Sequence, residues 1–428
     1  MKTTIAFFRR GAAALCALLF LAAAFCLRIN ASAADGAAPD TAGDSAASLV
    51  SDRDASGEYD ASAAVTLAPG DDLTISEAGI YILSGSYENQ MLTVQAGDED
   101  KVQIVLNNAQ IANADGPAIL VRSADKVFLT AAAGSENSIS DGSGYTLNEG
   151  DTAVDAAVFS KADLTVNGSG SLSITGNTKH AVVSKDDLVV TAKNLIVSSA
   201  ASALTGKDAV TLLDASVSIQ AGTDGIHSEG TVTVLDGSLT AQCGDDAVHA
   251  DGKADIAGGT VTLNAAEGIE ATYVLIRSGD ISIQASDDGI NAAYKSDAYT
   301  PTVEITGGNL TVTMGAGDTD GIDSNGNLII SGGTVSVTGS SAFDFDGSVS
   351  FTGGTVTVNG QQVTELNNQF MGGRGGMGGM GGQGGHGSFG TPPDMSGDIP
   401  AGFGGQPPSG FHGPHGGQGG PGSFGEAS

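Results

Sequence analysis

The feature that most constrains this chain is a triplet that recurs at a nearly fixed interval: an acidic residue, a small residue and a branched apolar residue. The apolar members lie 22, 21, 21 and 32 residues apart. A period of this size indicates one supersecondary unit that is repeated and stacked, which brings equivalent side chains into columns. The five triplets are Asp224-Gly225-Ile226, Asp246-Ala247-Val248, Glu267-Gly268-Ile269, Asp288-Gly289-Ile290 and Asp320-Gly321-Ile322.

The residues between the triplets alternate between apolar and polar, which predicts short β-strands. Each repeat of about 21 residues holds three such runs, and Gly-Gly, Gly-Asn or Asp-Gly breaks separate them. Three short strands per turn are typical of a parallel β-helix, which is an all-β solenoid. A β-sandwich of hairpins remains the alternative, because its strands are also short and regularly spaced.

The same register extends beyond the acidic triplets. Counting back from Ile226 in steps of 22, 22 and 24 residues reaches Leu204, Val182 and Val158, and counting forward from Ile322 reaches Phe343. The sequence therefore predicts at least nine turns. The 32-residue step contains an excess of eleven residues around Tyr294–Tyr299, and such insertions usually protrude at one face of a repeat protein.

The two ends of the chain differ from this repetitive centre. Basic residues, then an apolar run over Gly11–Leu27 and then Ala31-Ser32-Ala33 predict a secretory signal peptide over residues 1–33; a retained membrane anchor is the alternative. We assign residues 34–57 to a flexible linker, 58–367 to the β-helix, and 368–428 to a disordered Gly-rich tail that could contact the cell envelope. Cys243 is the one cysteine after the signal, so no disulfide framework is expected.

The charge of the chain excludes some partners. It has 17 basic and 49 acidic residues, and four of the basic residues lie in the predicted signal peptide, which leaves a net charge of −36 after cleavage. Such a surface repels nucleic acid. An acidic partner could bind only through bridging cations.

Two acidic columns follow from the register. The first lies two residues before each apolar anchor, and the second, one residue after it, includes His227, His249 and Asn291. Neighbouring strands lie ~4.8 Å apart, so aligned carboxylates need a cation, and oxygen ligands without thiolates select Ca²⁺. Turn chemistry of Asp before Gly is the simpler alternative, and stacked surface imidazoles are the simpler role of both histidines. The predicted Ca²⁺ ligands are Asp224, Asp246, Glu267, Glu270, Asp287, Asp288, Asp320, Asp323 and Asp344.

Several segments resemble the secreted clostridial carbohydrate-binding β-helix family. They are Ile80–Gly85, Asp100–Asn108, Ala124–Leu129, the Asp-Gly-Ile triplets and the Met-Gly-Gly tail. The resemblance implies a right-handed parallel β-helix similar to the pectate lyases, with bound calcium. It also implies binding of cellulose and acidic pectic polysaccharide at the cell surface.

We therefore expect a secreted, calcium-dependent polysaccharide-binding protein that does not cleave its ligand. Tyr273, Tyr294 and Tyr299 are the candidate sugar-contacting residues, since the chain has no tryptophan. A polysaccharide lyase is one alternative, with a base among Lys253, Arg277 and Lys295. A structural or adhesive surface protein is the other.

Overall fold

The computed structural model describes residues 49–70, 73–145, 153–316 and 319–368. The predicted signal peptide and all but the first residue of the predicted tail lie outside these ranges. Among the described residues, no helix is long and apolar enough to cross a membrane.

The described elements are one short helix and a long series of strands. They are α1 (Asp52–Ser56), β1 (Val65–Leu67), β2 (Thr74–Ile75), β3 (Gly79–Glu88), β4 (Leu92–Gln95), β5 (Lys101–Asn113), β6 (Ile119–Ser123), β7 (Lys126–Ala131), β8 (Glu136–Asp141), β9 (Ala156–Ser160), β10 (Asp163–Gly168), β11 (Ser171–Gly176), β12 (His180–Ser184), β13 (Asp187–Val190), β14 (Leu195–Ser199), β15 (Leu204–Gly206), β16 (Ala209–Leu212), β17 (Ala215–Ala221), β18 (Ile226–Ser228), β19 (Thr231–Val234), β20 (Gly237–Cys243), β21 (Asp246–Ile256), β22 (Thr260–Ala265), β23 (Glu267–Ile276), β24 (Asp280–Ala285), β25 (Ile290–Ala292), β26 (Thr302–Ile305), β27 (Asn309–Met314), β28 (Asp320–Ser324), β29 (Asn327–Ile330), β30 (Thr334–Thr338), β31 (Ser341–Phe345), β32 (Val349–Phe351), β33 (Thr355–Val358) and β34 (Gln361–Val363).

Apart from β34, which pairs antiparallel with β33, the strands form three parallel sheets that wind into a solenoid of about 12 turns. The predicted parallel β-helix is therefore confirmed. Long strands such as β21 and β23 continue around a corner from one sheet into the next. Sheet A runs through β7, β10, β13, β16, β19, the second half of β21 and of β23, β26, β29 and β32. Sheet B runs through β8, β11, β14, β17, β20, β22, β24, β27, β30 and β33. Sheet C runs through β4, β6, β9, β12, β15, β18, the first half of β21 and of β23, β25, β28 and β31.

The predicted register is confirmed at every step. The apolar anchors all lie in sheet C, where each one pairs with the anchor of the next turn. In chain order the paired anchors are Val158, Val182, Leu204, Ile226, Val248, Ile269, Ile290, Ile322 and Phe343. The column continues back to Ile119 and Leu92, so the N-terminal strands are earlier turns of the same solenoid.

Apolar stacking inside the solenoid forms one continuous core. The anchors from Leu92 to Ile322 are at most 1% exposed, and the inward residues of sheets A and B join them. Fully burying one such side chain is worth about 1.5–3 kcal/mol. Each turn depends on its neighbours for this burial, because a single turn has no interior of its own.

The middle residue of the triplet is small because the neighbouring turn leaves little room for a side chain. Gly268, Gly289 and Gly321 do not have positive φ, so they do not supply the left-handed turn on which the turn-chemistry alternative depends. A Cβ added at Gly289 would lie 2.4 Å from both the Gly321 carbonyl oxygen and Val312 Cγ1. The chain therefore passes so close to the next turn that only a hydrogen fits there.

Replacing Gly289 by alanine therefore tests this packing. We expect Gly289→Ala to lower the free energy of unfolding by ~1–3 kcal/mol, the usual cost of overpacking. The matched control is Gly144→Ala, because a Cβ at Gly144 meets no atom within 4 Å and its φ is not positive. Urea unfolding followed by circular dichroism measures both; equal midpoints for the two variants would contradict the steric explanation.

Helix α1 corrects the flexible-linker assignment for residues 49–57; the rest of the predicted linker, residues 34–48, lies outside the described residues. Ser51 caps the helix and forms a capping box with Asp54. Asp54 is 3% exposed, and its carboxylate lies 2.8 Å from Lys126 Nζ and accepts a hydrogen bond from Thr165. Its carbonyl accepts hydrogen bonds from Asn167 and Thr191. A buried charge is stable only with such partners, so this part of the segment is fixed on the outer face of sheet A.

The insertion between β25 and β26 folds back onto an earlier turn. The backbone N–H groups of Lys295 and Ser296 donate to Thr272 Oγ1, at 3.0 and 2.9 Å. This contact brings the insertion to the corner between sheets C and A, beside the acidic columns.

Candidate functional site

The two predicted acidic columns lie side by side on the outer face of sheet C. Strand pairing places His227, His249, Glu270, Asn291, Asp323 and Asp344 in one row, one per turn. Asp246 pairs with Glu267 in the other row. Members of the two rows are close enough to contact each other, as between Asp224 and His227. We call this double row the acidic ladder.

In the N-terminal half of the ladder, histidine side chains lie beside the carboxylates. His227 Nδ1 lies 3.0 Å from Asp224 Oδ2, and His249 Nδ1 lies 2.7 Å from Asp246 Oδ2 and 2.9 Å from Glu270 Oε2. The two imidazole rings stack 4.7 Å apart at 9°, as the sequence predicts. Asp224, Asp246 and Glu270 were predicted to bind calcium; each has a histidine beside it, and their role as calcium ligands stays a prediction.

Lys295 is the second cation of this half. Its Nζ lies 2.8 Å from Glu270 Oε1. Burial favours the neutral acid, but hydrogen bonds from His249 and Lys295 outweigh it and lower the pKa of Glu270 to about 2. Burial likewise opposes a charged imidazole, yet Asp246 and Glu270 raise the pKa of His249 to about 10.

The C-terminal half of the ladder lacks this compensation. Among the described residues, no lysine, arginine or histidine forms an ion pair with Asp288, Asp323 or Asp344. Burial, with repulsion from neighbouring carboxylates, raises the pKa of Asp288 to about 6. Burial and the charges of Asp288, Asp344 and Asp320 raise the pKa of Asp323 to about 7. This part of the ladder is under electrostatic strain that a bound cation would relieve.

Two further groups connect the halves. Burial and the charges of Glu270 and Asp246 raise the pKa of Glu267 to about 8, and its Oε2 accepts a hydrogen bond from Asn291 Nδ2 at 3.1 Å. Asn291 Oδ1 is buried and has no hydrogen-bond donor among the described residues. A buried amide oxygen without a partner is rare in proteins and is a suitable ligand for a hard cation.

The remaining predicted ligands lie at the edges of this cluster. Asp320 accepts a hydrogen bond from Ser341, and its backbone N–H donates to Asp288 Oδ1 at 3.0 Å. Asp287 is exposed. It raises the pKa of its neighbour Asp288 through its charge.

The three predicted sugar-contacting tyrosines differ in accessibility. Tyr273 is 6% exposed, and its hydroxyl donates to Glu304, so the prediction that its ring stacks on a sugar is not supported. Its ring contacts that of Tyr299, with centroids 5.8 Å apart. Tyr294 is 72% exposed, which leaves its ring available.

The three basic residues considered for a lyase are all engaged with carboxylates. Lys253 Nζ and Arg277 Nε lie 2.9 and 2.8 Å from the two oxygens of Asp255. Lys295 is bound to Glu270, which raises its pKa. A general base must reach the proton of its substrate, and each of these side chains is held against a carboxylate of the protein itself.

A second group of acids, at the starts of β10 and β13, was not predicted from the sequence. Within the described residues, only two sets bring at least three metal-ligating atoms within 4.8 Å of one another: Asp246, His249 and Glu270, and Asp163, Asp186 and Asp187. Asp186-Asp187 is an adjacent acidic pair just before an apolar run. This pattern is the sequence feature from which the second group could have been predicted.

Comparison with known proteins identifies the family of this chain. The sequence profile of the family described as "Carbohydrate-binding domain-containing protein" matches residues 69–318 and 266–363, which together are more than half of the chain. The chain belongs to this carbohydrate-binding domain family.

Individual relatives of this carbohydrate-binding domain protein are more distant. A carbohydrate-binding domain-containing protein of Acetivibrio thermocellus is 28% identical over 129 residues, which are 30% of this chain and 45% of that protein. The match thus spans less than half of the relative's length. A solved structure of the polysaccharide lyase-like protein from C. thermocellum, a gadolinium derivative, is 21% identical. It aligns with 70% of this chain and 94% of that one at a TM-score of 0.33.

The raised pKa values predict an unusual pH dependence of stability. In chelator, we expect the melting temperature to fall as pH rises from about 4 to about 8. The folded-state pKa values of Asp288, Asp323 and Glu267, about 6, 7 and 8, lie above the ~4 of an unfolded chain. Folding therefore favours the protonated acids, and their contribution is lost as they ionise.

Substitution of Asp323 tests the contribution of one carboxylate to this pH dependence of stability. Asp323→Asn should flatten the profile and raise the melting temperature at pH 8, while leaving it unchanged at pH 4. The control is Asp280→Asn, an exposed acid of sheet B whose partner is Asn309. Scanning calorimetry in chelator measures the melting temperatures of all three proteins. A wild-type melting temperature that stays constant or increases from pH 4 to pH 8 would contradict the repulsion between these carboxylates.

Proposed function

We propose that this protein is secreted and binds an acidic polysaccharide through Ca²⁺ at the C-terminal half of the ladder, without cleaving it. The observation that carries the proposal is the row of Asp288, Asp323 and their neighbours. These carboxylates repeat once per turn, are partly buried, and include members with no ion-pair partner among the described residues.

The residues present there fit calcium. Asp288, Asp323 and Asp344 offer carboxylate oxygens, and Asn291 adds the buried amide oxygen without a donor. Ca²⁺ accepts six to eight oxygens in a flexible shell, whereas zinc and copper prefer nitrogen or sulfur. Calcium bound here would neutralise the carboxylates and could also accept oxygens from a ligand.

The charge of the chain favours an acidic ligand only in this arrangement. With a net charge of −32, the protein repels a uronate polymer at long range. Calcium between protein and uronate carboxylates removes this conflict at short range. The ladder also matches a polymer in form, because both repeat their charges along a line.

Binding without cleavage is supported by the pairing of the candidate bases. Lys253 and Arg277 share Asp255, and Lys295 binds Glu270. The exposed ring of Tyr294 could add a contact to a neutral sugar such as the glucose units of cellulose. The predicted leader that supports secretion lies outside the described residues.

Isothermal titration with polygalacturonate is the direct test. We expect binding with Ca²⁺ and at least ~10-fold weaker binding in chelator, with no rise in absorbance from unsaturated uronate. Asp288→Asn combined with Asp323→Asn should abolish the calcium-dependent part, because the cation loses two carboxylates.

The control for this titration is again Asp280→Asn, which should bind like the wild type. Cellulose pull-down runs in parallel. Binding to cellulose alone, independent of calcium, would contradict the acidic ligand. Unsaturated product would make the protein a lyase. If neither polymer binds but chelator lowers the melting temperature, the ladder has only a structural role.

A further inference from the structure

His249 stands at the centre of a more compact cluster in the N-terminal half of the ladder. Its Nδ1 lies 2.7 Å from Asp246 Oδ2 and 2.9 Å from Glu270 Oε2. The three atoms all lie within 4.8 Å of one another. The side chains of Asp246, His249 and Glu270 are 8, 12 and 8% exposed, so the cluster is shielded from water.

The convergence at Nδ1 exceeds what one hydrogen bond explains. An imidazole nitrogen carries at most one proton and directs it along one line in the ring plane. Two carboxylate oxygens, from Asp246 and Glu270, nevertheless approach this nitrogen within 3 Å. A metal ion that displaces the Nδ1 proton would find three ligand atoms within 4.8 Å of one another, from two carboxylates and one imidazole.

The outer contacts of the cluster also match a metal site. His249 Nε2, on the far side of the ring, lies 3.2 Å from Asp251 Oδ1. Metal-bound histidines almost always donate their second ring N–H to a carboxylate, a carbonyl or water, which fixes the tautomer. The other oxygen of Glu270 is held by Lys295 Nζ at 2.8 Å, so this ligand is oriented as well.

We propose that Asp246, His249 and Glu270 bind a divalent transition-metal ion of the Zn²⁺ class. An imidazole together with carboxylates suits Zn²⁺ and its neighbours in the first row, whereas Ca²⁺ takes only oxygen. Three protein ligands leave a fourth, open position for water. The site is therefore chemically distinct from the calcium positions proposed for the C-terminal half, and does not depend on them.

The three ligands of this site come from two adjacent turns of the solenoid. Asp246 and His249 belong to β21, and Glu270 belongs to the next turn, in β23. Lys295, from the insertion, contacts the same cluster. A metal ion here joins two adjacent turns, so its binding stabilises the middle of the solenoid.

His227 supplies a matched control within the same row. It has a carboxylate partner at 3.0 Å, Asp224, and stacks on His249. No second acidic residue contacts its ring among the ion pairs of the described residues. A histidine with one carboxylate does not make a site, so its removal should matter little.

The test is titration of the full chain with Zn²⁺ alone, in the absence of calcium. We expect one tight equivalent in the wild type, and at least ~100-fold weaker binding in His249→Gln and Glu270→Gln, because each loses a direct ligand. Asp251→Asn should weaken binding about 10-fold, in the range seen for outer-shell partners. His227→Gln should remain within about threefold of the wild type.

Spectroscopy on the wild type keeps the proposal testable if a variant fails to fold. At one equivalent of Zn²⁺, X-ray absorption should show a shell with a single imidazole and carboxylate oxygens at about 2.0–2.2 Å. A shell with two or more imidazoles would place the ion on other histidines of the chain and overturn the proposal. Equal zinc affinity of His249→Gln and the wild type would also overturn it, whatever the result with polygalacturonate.

Discussion

The structure depends on one geometric constraint, the in-register stacking of parallel strands at a spacing of ~4.8 Å. Residues that are equivalent in sequence become neighbours in space, so each position of the repeat forms a column. The side chains of one column must therefore pack against copies of the same residue type. Apolar columns satisfy this condition easily, and the anchors from Val158 to Phe343 form a continuous core. Acidic columns do not, because like charges at this spacing repel each other.

The ladder shows two solutions to that repulsion. In its N-terminal half, His249 and Lys295 lie against the carboxylates as built-in cations, and His227 lies beside Asp224. In its C-terminal half the same row continues through Asn291 to Asp323 and Asp344, and the charge stays uncompensated by the described side chains. A soluble cation is then the simplest remaining source of positive charge, and a chain with this net charge attracts cations strongly.

The register could be predicted from the sequence because it depends on local repetition. Steps of 21 or 22 residues place Ile226 beside Val248 and Ile269 whatever the details of packing. The predicted rows of the acidic ladder follow from the same counting. The ligand roles within those rows are still predictions.

Contacts that cross the repeat could not be predicted. Lys295 reaches Glu270 because the insertion folds backward onto Thr272. The repeat pattern does not indicate the direction in which an insertion folds. Helix α1 is too short to show a helical pattern, and it is held by buried polar contacts to Lys126 and Thr165 more than 70 residues away. Tyr273 lies in a strand where composition cannot distinguish a buried ring from an accessible one.

The central claim is that the C-terminal half of the ladder binds calcium, and anomalous diffraction tests it most directly. Crystals grown with Ca²⁺ and measured at long wavelength should show a peak within about 2.3–2.6 Å of carboxylate oxygens of Asp288 or Asp323, the usual calcium–oxygen distance. Carboxylates that contact only water there, with no peak along the row, would contradict it.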